Sequence, residues 1–189
     1  GLFGRIFPAG FYYKTFMTPN RLWPVYERII RQAAGLGRAP SDPDPDRYEN
    51  INTHCDILII GGGPSGLSAA LKAGKSGARV ILADEQNEFG GALLGSDDEI
   101  DGGPALDWVE KTVSKLEEMA EVRLLPRTTI YGYYNHNFLT AVERVTDHLG
   151  VSGDPLPRQR SWRIRTRQVI LASGAIERPM VFENNDRPG

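Results

Sequence analysis

Gly61, Gly63 and Gly66 stand in the spacing G-x-G-x-x-G, directly after the apolar run Ile57, Leu58, Ile59 and Ile60. Where a strand turns into a helix, each glycine of that spacing has its own task. Gly61 allows the tight turn, Gly63 lets backbone amides approach a diphosphate, and Gly66 lets the helix lie close to the sheet. Pro64 falls in the first helical turn, where a missing N–H does no harm. Pro64 and Ser65, the residues between the last two glycines, count as cofactor-binding positions with them. Asp84 follows Gly66 by eighteen residues, close to the roughly 20 at which a carboxylate meets an adenosine ribose. The chemistry implied is the holding of a dinucleotide.

The elements around these residues agree with that reading. The run 57–60 suits a strand covered on both faces of a parallel sheet. A helix is predicted over 64–75, with the small residues Ser68, Ala69, Ala70 and Ala73 permitting close packing and Gly74 and Gly77 ending it. A second strand, 79–83, delivers Asp84. Glu85 and Gln86 begin a polar loop that runs to the double glycine Gly90-Gly91, where amides can approach the ribose or diphosphate. Residues 91–103 read as loop. A second helix is predicted over 104–120 with Leu106, Val109, Val113 and Leu116 as its apolar stripe, and a third parallel strand over 122–125. The order strand, helix, strand, helix, strand is half of a doubly wound sheet.

Beyond it, segments 128–134, 139–145 and 161–168 predict a three-stranded antiparallel meander, with Asn135, His136 and Asn137 as a turn and 151–157 as a Gly/Pro loop. Arg163, Arg165 and Arg167 alternate with Trp162, Ile164 and Thr166. That stripe reads as one strand's solvent face, and the acidic total argues against nucleic acid. The apolar strand 169–174 runs into the small turn Ala172, Ser173 and Gly174, letting backbone pass beside a bound dinucleotide. His136 and His148 have no acid or nucleophile at a spacing that would form a triad.

The first 50 residues read as an extension. Residues 1–18 are rich in Phe and Tyr without a steady period and read as an irregular packed arm. Asn20 is expected to cap a helix over 21–34 with Trp23, Tyr26, Ile30 and Ala34 on one face and Gly35 and Gly37 at its end. Residues 41–46 alternate Asp and Pro as a solvated linker. His54 and Cys55 have no companions for a metal site, and Cys55 reads as a buried thiol at a strand start.

The 189 residues carry 22 Lys and Arg against 24 Asp and Glu, a net charge of −2. No basic field recruits nucleic acid or an anionic membrane. The single Cys excludes an internal disulfide framework and fits a cytoplasmic setting. No apolar run approaches membrane-spanning length. The first residue is not Met, no signal-peptide pattern opens the chain, and residues 184–189 end on turn formers, so a piece of a longer chain is expected.

Together these segments resemble the two-dinucleotide-binding flavoprotein superfamily and, within it, the alpha-subunit family of heterotetrameric sarcosine oxidases. The residues that carry the likeness are FPAGFYYKTFM (7–17), IIGGGPSG (59–66), ADEQ (83–86), RTTIYGYY (127–134), ERVTDHL (143–149), SGAIERP (173–179) and NDRPG (185–189). The resemblance implies NAD in this domain, FAD on the beta subunit and FMN between alpha and beta. It also implies gamma and delta subunits as partners, and tetrahydrofolate handled by a later domain. The family's reaction is the oxidation of sarcosine by oxygen to glycine and hydrogen peroxide. Carried onto this chain, Gly61, Gly63 and Gly66 hold the diphosphate, Asp84 and Glu85 the ribose, and Thr129 and Ile130 offer backbone near adenine. Ser173 replaces the more usual Thr of the last strand. No catalytic residue or metal ligand is expected here.

The fold expected is α/β, a Rossmann-like FAD/NAD(P)-binding fold with a central parallel sheet and a small antiparallel β-meander. It is expected to be incomplete, with an arm, helix and linker over 1–50 and the dinucleotide-binding domain over 51–189. Two rivals remain. One is a related amine, opine or proline dehydrogenase, or a hydrogen cyanide synthase subunit, with FAD in this pocket. The other is a non-catalytic assembly module whose nucleotide is structural.

Overall fold

The computed structural model describes residues 20–35, 41–150, 153, 155–175 and 181. The aromatic arm over 1–18, Gly37 and the segments 176–179 and 184–189 lie outside the described residues. The chain divides into two compact units between Asp44 and Pro45.

In the first unit, a 3-10 turn over Asn20–Leu22 leads into helix α1, Trp23–Ala33. The helix starts two residues later than the asparagine predicts, and no side chain caps it. Pro24 sets this start: it lacks an N–H, so it belongs in a first turn, where none is needed. A helix begun at Arg21 would leave that gap further in. Gly35 closes the end at φ 68°.

The second unit is built on a six-stranded sheet in the order β5-β2-β1-β8-β7-β6. Strand β1 is Tyr48–Ile60, β2 is Val80–Ala83, β5 is Val122–Leu125 and β8 is Gln159–Leu171. These four are parallel. Strands β6 (Thr128–Tyr134) and β7 (Phe138–Arg144) add antiparallel beyond β8. The turn joining them is tight because His136 and Asn137 both take positive φ, a conformation that Asn and His tolerate better than most. A two-stranded piece, β3 (Glu99–Ile100) and β4 (Gly103–Pro104), interrupts the loop before the second long helix.

Helices α2 (Pro64–Lys75) and α3 (Ala105–Glu117) cover one sheet face. Their core gathers Ile59, Leu67, Ala70, Val80, Leu82, Val109 and Leu116. On α3 the buried residues are Ala105, Val109, Thr112 and Leu116, while Leu106 is 42% exposed. The stripe is therefore one position out of phase with expectation at its start, because Ala105 docks first: its N–H donates to the Asp98 carbonyl at 2.9 Å. A second core, with Leu58, Ile81, Leu125, Leu139, Ala141, Trp162 and Ile164, fills the opposite face. The sheet curls to enclose it, and Thr128 at the start of β6 donates its N–H to the Asp84 carbonyl at 2.7 Å.

The curl depends on a feature that the apolar pattern does not reveal. Strands β1 and β8 run thirteen residues each and pair along most of their length. The segments 161–168 and 169–174, expected as two strands, form one that ends at Leu171. Midway, the N–H groups of Asp56 and Ile57 both donate to the Arg79 carbonyl, at 2.9 and 3.1 Å. This is a bulge, and it re-aims the side chains that follow. Before it, Ile51 and Cys55 face the second core; after it, Ile57 and Ile59 face the helices. Cys55 thus sits inside a strand and not at its start, and burial pushes its thiol pKa up.

Asp56 fastens the bulge. Its carboxylate accepts from the Arg79 guanidinium at 3.0 and 3.1 Å and from the Arg79 N–H at 3.0 Å. These bonds hold its pKa down to about 2, from 3.8. A depressed carboxylate stabilises the fold above its unfolded pKa and loses that contribution as pH falls through its folded one. Asp56→Asn in the full-length protein is expected to lower the melting temperature at neutral pH. It is also expected to flatten the further fall seen from 3.8 towards about 2, as followed by circular dichroism.

Candidate functional site: the glycine turn and its cleft

The turn after β1 is held from both sides. Gly61 donates its N–H to the Ala83 carbonyl at 2.8 Å, and Ala172 donates to the Ile60 carbonyl at 2.7 Å. Gly61 has φ 104°, and a Cβ there would strike the Ala172 backbone, so only glycine fits between the ends of β2 and β8. A Cβ on Gly66 would fall on the Gly61 carbonyl oxygen. This is the close helix–strand approach that the spacing predicts. Gly63 is the N-cap of α2 and offers no side-chain cap, so the first amides of a twelve-residue helix keep their donor capacity and positive end.

Asp84 braces this turn. One carboxylate oxygen accepts the Gly62 N–H and the other accepts the Gln86 N–H at 2.8 Å. Gly62 in turn accepts from the Gly90 N–H at 2.8 Å. Phe89 is buried against Gly62 and does not enter the cleft. The loop over 84–86 is held from outside: Arg127 donates its N–H to the Gln86 carbonyl at 2.8 Å, and Arg144 donates from its guanidinium to the Glu85 carbonyl at 2.8 Å.

Over the turn opens a cleft of about 1090 Å³, at the upper end of ligand-site sizes. Gly61, Gly63, Pro64, Ser65, Asp84, Glu85, Gln86, Gly91, Thr129, Ile130, Ala172, Ser173 and Gly174 all line it. Gly66, buried under Gly61, does not. Segments more than a hundred residues apart in sequence meet here because β8 returns beside β1 and β6 starts beside the end of β2. Sequence reasoning missed the strand ends Ile60, Ala83, Ile170 and Leu171 and also Ala92, Thr128 and Ala175, all of which line the cleft. Thr128 had a usable signal, since it adjoins Thr129 where a strand begins. Ala92 belongs to a 3-10 turn over Gly91–Gly95, which has no such signature.

The lining holds two carboxylates, several hydroxyls and uncapped amides, and no His, Cys or Lys. Among the described residues no three His, Cys, Asp or Glu gather as metal ligands. No described helix is long and apolar enough to cross a membrane. Uncapped amides, carboxylates and hydroxyls are groups that can meet an anionic, sugar-bearing ligand. The uncapped start of α2 suits a diphosphate, and the free lone pairs of the Asp84 carboxylate suit sugar hydroxyls.

Comparison with known proteins agrees with this geometry. The sequence model of FAD dependent oxidoreductases matches residues 56–124, from the bulge to β5. The sarcosine oxidase subunit alpha of Rhizobium meliloti (strain 1021) is 52% identical over all of this chain and 19% of its own length. The corresponding subunit of Corynebacterium sp. (strain P-1) is 49% identical over 82% of this chain and 16% of its own. The chain is a homologue of sarcosine oxidase alpha subunits. It spans less than a fifth of the length of these relatives. Among solved structures, L-proline dehydrogenase from P. horikoshii superposes with a TM-score of 0.56 at 28% identity, over 80% of this chain and 28% of that one. The fold of this sarcosine oxidase homologue is therefore the Rossmann-like α/β fold of FAD-dependent oxidoreductases, with the meander in place.

Two substitutions in the full-length protein probe the turn. Gly66→Ala forces a methyl against the Gly61 carbonyl, and a loss of about 1–3 kcal/mol is expected, read from urea denaturation. Asp84→Asn points an NH₂ at one of two amide donors and is expected to cost a similar ~1–3 kcal/mol. It should also reduce the nucleotide retained on purification, measured by absorbance after denaturation.

Proposed function

We propose that residues 51–189 form the first part of a dinucleotide-binding domain in the alpha subunit of a cytoplasmic, sarcosine-oxidising flavoprotein complex, and that the ligand here is NAD. The observation that carries this reading is the shared cleft. The start of α2, the Asp84 carboxylate and the small turn at 172–174 face one space, as the three parts of an adenine dinucleotide site do. The amides of the α2 first turn would hold the diphosphate, and Asp84 with Glu85 the adenosine ribose. Thr129 and Ile130 would offer backbone to the adenine. When bound, a dinucleotide of this kind supplies hydride-transfer chemistry. The chain's own part is to bind it, orient it and keep the turn rigid.

Sarcosine as the amine substrate, the beta, gamma and delta subunits, FAD and FMN elsewhere in the complex and tetrahydrofolate at a later domain come from the relatives' family.

A second reading places FAD in this cleft. The match to FAD dependent oxidoreductases over residues 56–124 favours it, as does the likeness to L-proline dehydrogenase, whose name implies another amine substrate. Both ligands present an adenosine ribose and a diphosphate, so Asp84 serves either. The deciding experiment is to purify the full-length subunit alone, denature it and identify what is released by chromatography and mass. NAD is expected; release of FAD in equal amount to protein would establish the second reading, and release of neither would overturn both.

A further inference from the structure

On the sheet face of β1, β8 and β7 that turns away from the second core, the first halves of the strands carry an exposed patch. Arg163 and Arg165 sit two residues apart on β8. Asn52 and Thr140 flank Arg163, and His54 and Phe138 flank Arg165. None of these neighbours is a carboxylate. The Arg165 guanidinium lies 5.1 Å from the centre of the Phe138 ring. The Tyr134 ring lies 6.0 Å from that of Phe138, and Tyr134 is 53% exposed.

The charge pattern of this face differs from that of its surroundings. Arg79 and Arg167 share Asp56, Arg158 is held between Asp46 and Asp147, and Arg160 is held between Glu49 and Glu143. Arg163 has no hydrogen bond or ion pair among the described residues, and Arg165 reaches only the His136 carbonyl, at 3.4 Å. Two guanidiniums without a carboxylate among the described residues, beside a half-buried Phe and an exposed Tyr, have the composition of interface centres, where Arg and Tyr are enriched. The chain's net charge of −2 argues against a nucleic-acid partner.

We propose that this Arg163–Arg165–Phe138–Tyr134 face docks an acidic segment of another subunit. It presents two carboxylates roughly 7 Å apart, the separation of alternate residues on a strand. The proposal rests on the reading of the chain as part of a multi-subunit complex. The arginines meet the carboxylates with paired N–H groups, and the rings cover the aliphatic parts of the same segment. Arg163 and Arg165 are exposed, so charge reversal there is expected to leave the fold intact.

The test uses the full-length chain and its co-expressed partner subunits. The apparent Kd of association is measured at several NaCl concentrations for wild type, Arg163→Glu/Arg165→Glu and Arg163→Lys/Arg165→Lys. Association that weakens at least tenfold in the glutamate variant, with its salt dependence reduced and the lysine variant in between, is the expected result. Equal Kd and equal salt dependence in wild type and the glutamate variant would overturn the surface while leaving the multi-subunit reading in place. A drop in the melting temperature of the isolated glutamate variant would show that a later part of the same chain covers the patch, and would overturn it too. So would loss of oligonucleotide binding with subunit association intact. A wild-type chain that does not associate with its co-expressed partner subunits at any salt concentration would overturn both the complex and this surface.

Discussion

The Asp84 carboxylate, receiving one N–H from the glycine turn and another from its own loop, is the contact on which the rest of the site depends. A turn rich in glycine is entropically costly to hold still, and its amides are useful to a ligand only when they are already aimed. Asp84 supplies that stiffness by tying the end of β2 to the bend after β1. The same group keeps free lone pairs and lines the cleft, so one side chain both shapes the turn and faces the space above it.

The second requirement is the bulge at Asp56. Strands β1 and β8 must lie under helices at one end and enclose a separate core at the other. A regular strand keeps one set of side chains on one face throughout. The irregularity lets Cys55 and Leu58, three residues apart, share a core. The antiparallel strands can then curl back towards β2, and Thr128, Thr129 and Ile130 arrive at the cleft. Without that change of face, β6 would sit at a distant sheet edge and the cleft would have lost its far wall.

The local periods of α2, β2, β5 and β6 are strong, and the observed elements lie within a residue or so of expectation. Misreadings occurred where local pattern and packing disagree. The run before Cys55 carries Glu49, Asn50, Asn52 and His54 and has no apolar signature, because one of its faces is solvated; pairing with β8 makes it a strand. Leu106 is apolar and exposed, and Ala105 is small and buried, because the docking of the β3–β4 piece sets the phase of α3. Asn20 is a good cap by type, but the ring of Pro24 decides where α1 starts.

The order of residues alone was enough to determine the glycine turn, the acid that follows it and the two helices, because each rests on interactions within about thirty residues, the span of one βαβ unit. The tertiary structure decided that thirteen of the fourteen proposed site residues share one cleft and that Gly66 serves it from beneath. It also decided that Asp84 braces the turn and that Arg163 and Arg165 on β8 have no acid among the described residues. The shared cleft and the place of those arginines depend on the pairing of β1 with β8, partners more than a hundred residues apart. No local pattern encodes such a pairing; it is fixed when both strands bury their side chains against the same cores.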